Sequence, residues 1–185
     1  MLDSNKDIVL DELNKVFDTI DNSQVDQMVE MICGAKKVFF VGVGRVLLML
    51  QAWEKRLNHL GIDAYYVGEI NEPAITFDDI LIVGSGSGES IFPLSIIKLA
   101  KKYGAQTIHI GSNSESSMKP YEDLFVRIPC QTKLYLKDEI HSDQIMSSLF
   151  EQSLLLLGDM VAMKIVQKKD IKDLHLLWKK HANLE

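Results

Sequence analysis

Cysteine is scarce in this chain: Cys33 and Cys130 are the only two in 185 residues, they share no ligand-like spacing, and no histidine cluster stands near either. This excludes a disulfide framework or a zinc site and predicts two buried thiols in a reducing cytoplasm. Positive charge is also short. Lys and Arg number 20 against 26 Asp and Glu, a net charge of −6, so general affinity for nucleic-acid phosphates is excluded and any bound phosphate must be held locally. No apolar run suits a bilayer: the longest, residues 149–166, is interrupted by Glu151, Gln152, Asp159 and Lys164. The first residues lack a basic stretch followed by an apolar one, so no secretory signal is expected. There is no internal repeat and no low-complexity segment. With 46% hydrophobic residues, the chain has enough apolar material for one sizeable core, and a single domain is expected over its whole length.

What is present alternates. Residues 6–20 and 22–33 carry apolar side chains at helical spacing, giving two amphipathic helices before the first strand. Short apolar runs at 37–41, 64–67, 80–83, 106–110 and 124–128 read as strands, most followed by a glycine-containing turn and several by a helical pattern. Such alternation predicts a doubly wound α/β fold, a five-stranded parallel sheet of order 2-1-3-4-5 with helices on both faces. A long helix capped by Ser142 or Asp143 is expected to run to about residue 167, with Gln144, Ser148 and Glu151 on one polar stripe. Its other faces are apolar, as in a helix buried between subunits. A last helix is expected over 171–181.

The chemistry concentrates at strand ends. Gly84-Ser85-Gly86-Ser87-Gly88-Glu89-Ser90 joins a buried strand directly to a helix, a geometry that offers an oxyanion backbone N–H groups, hydroxyls and the positive helix end. Ser85, Ser87 and Ser90 are candidate phosphate donors, although Ser90 is equally placed to cap its own helix. The stretch lacks a Walker lysine, and Gly86 breaks the pattern of an esterase elbow. Gly42-Val43-Gly44-Arg45 opens like a dinucleotide fingerprint, but Leu47 replaces the third glycine. Glu151, an acid in a largely apolar helix, is either a proton-transfer base or a structural acid paired with Arg45 or Arg56. His181 is either functional or part of a solvated tail. His59, His109, His141 and His175 have no distinctive spacing.

Taken together, Gly42-Val43-Gly44-Arg45, Arg56-Leu57-Asn58-His59-Leu60-Gly61, Val67-Gly68-Glu69, the glycine and serine loop, Ser148-Leu149-Phe150-Glu151-Gln152 and His181-Ala182-Asn183-Leu184-Glu185 resemble the 6-phospho-3-hexuloisomerases, compact members of the sugar isomerase (SIS) domain superfamily. The resemblance implies conversion of 3-hexulose 6-phosphate to fructose 6-phosphate through a cis-enediolate, without metal or organic cofactor, in a homotetramer whose sites lie between subunits. It implies Glu151 as base, His181 as proton carrier or orienting group, and Arg45 as stabiliser of the enediolate. Ser85, Ser87 and Ser90 would hold phosphate, with Gly44, Gly86, Glu69 and Glu72 completing the candidate binding set. Two positions depart from the family pattern: Val46 stands where a serine is usual, and Glu72 replaces a threonine before Pro73. A carboxylate at 72 would repel phosphate unless it faces a sugar hydroxyl or pairs with Arg45 or Arg56. Two other readings share these features, a noncatalytic sugar-phosphate-binding SIS protein and an isomerase of another sugar phosphate such as arabinose 5-phosphate.

Overall fold

The computed structural model describes residues 2–184; Met1 and Glu185, the ends of the N-terminal stretch and the C-terminal tail read above, lie outside them. Five strands, β1 (Val38–Val41), β2 (Ala64–Tyr66), β3 (Ile80–Gly84), β4 (Gln106–Gly111) and β5 (Leu124–Arg127), form one sheet in the order β2-β1-β3-β4-β5, every pair parallel. The expected order is the observed one. β1 and β3 are buried along their whole length, as strands covered on both faces must be.

Alternate residues feed two cores. Val38, Phe40, Ile80, Ile82, Ile108 and Ile110 point to a large cluster with helices α2 (Asn22–Gly34), α3 (Gly44–His59) and α5 (Ser148–Lys168). Phe39, Val41, Leu81 and Val83 face a smaller one with α4 (Ile91–Lys102). α3 and α5 meet closely, since a Cβ on Gly158 would lie 2.7 Å from the Trp53 ring. This contact carries α5 across the sheet and brings its first turn to the start of α3. β2 and β3 leave β1 in opposite directions, so the carboxyl ends of β1 and β3 frame the switch point where such sheets bind ligands.

The C-terminal third departs from expectation in two places. α5 begins at Ser148, not at Ser142 or Asp143. The reason lies on α1 (Leu2–Phe17), where buried Glu12 accepts hydrogen bonds from Ser142 Oγ (2.7 Å), the Asp143 N–H (2.7 Å) and Gln144 Nε2 (3.0 Å). Met146 then takes a positive φ of 54°, which no helix accommodates. Gln144 thus leaves the polar stripe, while Ser148 and Glu151 stay helical. The last element is a 3-10 helix over Leu174–Lys180, shorter than the helix expected over 171–181.

Candidate active site

A cavity of about 390 Å³ opens at the switch point, within the range of small-ligand sites. Val43 walls it from the β1–α3 turn and Val46 from the first turn of α3, Ser85, Gly86, Ser87 and Ser90 from the β3–α4 loop, and Ser147 and Phe150 from α5 and the residue before it.

The loop turns its acceptors away from this cavity. The Ser85 carbonyl accepts from His109 Nε2 (3.0 Å) and the Gly88 N–H (3.1 Å), the Gly86 carbonyl from the N–H groups of Ser112 (2.9 Å) and Asn113 (3.2 Å), and the Ser87 carbonyl from Asn113 Nδ2 (3.2 Å). Among the described residues, the N–H groups of Gly86 and Ser87 have no protein acceptor. Donors are therefore left over where the cavity is, the arrangement an anion needs. Gly88 takes a φ of +67°, and a Cβ there would lie 2.2 Å from that of Ser116, so only glycine fits. Ser90 precedes α4 but makes no side-chain cap; its Oγ lies 3.4 Å from Ser85 Oγ. Of its two open readings, the capping one is absent in this geometry. Glu89, which would repel an anion, is taken up by the N–H (2.8 Å) and Oγ (2.7 Å) of Ser117.

Arg45 donates from Nε to Glu151 Oε2, while Arg56 pairs with Asp159 at 3.6 Å. Glu151 is buried at 8% exposure, so its carboxylate has lost most of its water, and the guanidinium compensates that loss. The Arg45 side chain is 62% exposed and has room to move. Neither member of the pair lines the cavity itself: Arg45 stands in sequence between lining Val43 and Val46, and Glu151 directly follows lining Phe150. Gly44, in the left-handed region at φ +57°, starts α3 beside it.

Glu69 and Glu72 do not line the cavity. Glu72 accepts from the Gly68 N–H at 2.7 Å, closing the turn after β2, and makes no ion pair with Arg45 or Arg56. Glu69 lies near Glu54 of α3, and burial together with the Glu69 charge pushes the Glu54 carboxyl up to about 7. His181 sits elsewhere within the single chain, its ring stacked on His59 with centroids 5.2 Å apart and close to Trp178. These residues line a second cavity of about 170 Å³ with Arg56. Burial first, then Arg56, Lys55 and His181, hold the His59 imidazole below its usual range.

Sequence reading gave residues 131–141 no part in the site. Gln131, Thr132, Lys133 and Tyr135 line the main cavity, and Lys133 is the one cation doing so among the described residues. Glu139 shapes the loop by accepting from the Thr132 N–H (3.0 Å) and Oγ1 (2.7 Å) and the Leu136 N–H (2.9 Å). The only available signal was position, since the loop follows β5 at the same edge of the sheet. Among the described residues no cluster of His, Cys, Asp or Glu could hold a metal ion, and no helix is long and apolar enough to cross a membrane.

No family model matches the chain. It is 36% identical over 177 residues to the 3-hexulose-6-phosphate isomerase of Bacillus subtilis, covering 96% of this chain and 95% of that one. It is 32% identical over 182 residues to the protein of the same name from Mycobacterium gastri, covering 98% and 90%. Its fold is similar, with a TM-score of 0.83 and 31% identity over 98% of this chain and 99% of the other, to a Methanococcus jannaschii protein whose crystal structure was taken to infer a 3-hexulose-6-phosphate isomerase function.

Proposed function

Because the chain belongs to the 3-hexulose-6-phosphate isomerase family, we propose that it interconverts 3-hexulose 6-phosphate and fructose 6-phosphate through a cis-enediolate, the isomerisation of the ribulose monophosphate route. The observation that carries this reading is a buried carboxylate, Glu151, paired with an exposed cation, Arg45, on the two helices that contribute Val46 and Phe150 to a serine-lined cavity. Phosphate is held by Ser85, Ser87 and Ser90 with the N–H groups of the loop, and Gly44 and Gly86 let the backbone approach. Glu151 takes the proton from C2, which the C3 carbonyl acidifies, and returns it to C3. The O2 proton passes to O3 through His181, and C2 becomes the carbonyl. Negative charge on the enediolate oxygens is met by Arg45, which exchanges its carboxylate partner for the intermediate.

The site is completed in a homotetramer, with the tail bearing His181 serving an adjacent subunit. In support, α5 exposes Leu156, Met160 and Met163 at helical spacing and α3 exposes Leu48, apolar surface that a second chain would cover. Two unpaired thiols, Cys33 and Cys130, fit a reducing cytoplasm.

Purified protein incubated with 3-hexulose 6-phosphate in deuterated water is expected to form fructose 6-phosphate carrying solvent deuterium. Binding without exchange across a sugar-phosphate panel would favour the noncatalytic reading, and exchange only into arabinose 5-phosphate would reassign the substrate. Glu151→Gln is expected to keep substrate affinity and lower kcat by about 10²- to 10⁴-fold. A variant that loses stability while retaining turnover would make the Arg45 pair purely structural.

A further inference from the structure

His109 is fully buried on β4, and the isomerisation makes no use of it. Its Nε2 lies 3.0 Å from the Ser85 carbonyl, and its Nδ1 lies 2.8 Å from Glu122 Oε2. A carbonyl oxygen only accepts, so Nε2 carries a proton. The contact at Nδ1 then needs a second proton, shared by the ring and the carboxyl. We propose that His109, kept doubly protonated by Glu122, is a positioning residue that fixes the phosphate loop and sets a positive charge directly behind it.

Two consequences follow for the cradle. The Ser85 carbonyl is drawn to the β4 side, so the loop presents donors and not an acceptor to the cavity. The pair is neutral as a whole, but its positive end touches the loop while Glu122 lies on the far side of the ring, a dipole aimed favourably for an anion in front of Ser85. The contact has been given space, since a Cβ on Gly111 would lie 2.6 Å from both His109 Nε2 and the Ser85 oxygen. Phe125 packs against the ring with centroids 5.1 Å apart, and the His109 side chain is fully buried. The other charges near the loop, Glu89 and Lys133, are respectively bound by Ser117 and exposed at the cavity edge.

This inference rests on the sugar-phosphate reading only for what occupies the cradle, so its test uses inorganic phosphate. Long-range ¹H–¹⁵N spectra of the labelled full chain are expected to show both His109 nitrogens protonated. In Glu122→Gln, whose amide can donate to Nδ1, one should remain protonated. That variant should bind phosphate roughly three- to tenfold more weakly and raise KM more than it lowers kcat. A neutral His109 in the wild type overturns the proposal, as does unchanged phosphate affinity in Glu122→Gln. If the variant does not fold, the wild-type spectrum alone decides. Wild-type protein that binds phosphate but turns over no 3-hexulose 6-phosphate counts against the isomerase reading and not against this one.

Discussion

At the scale of single residues, Glu54 links burial to a measurable pH dependence. Burial, then the Glu69 charge, push its carboxyl up to about 7, against the opposing pull of Lys55 and the Asn58 amide. Between the ordinary carboxylate range and about 7 the native state holds a proton that the unfolded chain has released. Stability from this group is therefore present at low pH and lost as pH rises through that window. Glu54→Gln is expected to gain on the wild type in urea midpoint between pH 5 and pH 8; a constant difference would show that the group does not titrate there. Val46 carries a second residue-scale prediction. Its methyl groups give the cavity an apolar wall where a serine would offer a hydroxyl. Val46→Ser should lower KM for the sugar phosphate by roughly threefold or more by adding a hydrogen bond to a charged group, and an unchanged KM would show that phosphate sits away from this wall.

At the scale of elements, the segment before α5 depends on one acid of α1. Burial acts to raise the Glu12 carboxyl, but the hydrogen bonds from Ser142, Asp143 and Gln144 outweigh it and hold the group below its usual range. Glu12→Gln cannot accept these bonds as a charge, and it is expected to cost about 1–3 kcal/mol in chemical denaturation. It should also raise KM, because the segment it anchors runs into cavity-lining Met146 and Ser147. Loss of stability with no change in KM would separate the anchor from the site. The strands and most helices were legible because apolar runs, 3.6-residue periodicity and glycine turns are local signals. The start of α5 was not. Ser142 and Asp143 have the chemistry of helix caps, and only the arrival of Glu12, 130 residues earlier in the chain, redirects the Ser142 hydroxyl.

At the scale of the whole molecule, His181 and Glu151 must act together in the proposed reaction, yet within one chain His181 packs on His59. Glu151→Gln and His181→Ala should each be nearly inactive, and hybrids reassembled from the two should recover activity at sites combining an intact Glu151 with a neighbour's intact His181. Confirmed hybrids without recovery would remove His181 from a shared site. The sequence by itself determined the parallel sheet, its strand order and the end of it where the cavity opens, because strand burial and turn chemistry are written in neighbouring residues. The tertiary structure decided the partners: Arg45 rather than Arg56 for Glu151, 106 residues away, and Glu122 and Ser85 for His109. Such pairings depend on how α3 meets α5 and how β4 lies beside β3, and packing distances of this kind leave no periodic trace in the chain. The glycine and serine loop could be read as an anion holder from its composition, but which of its carbonyls are tied back, and by what, is a property of the folded sheet.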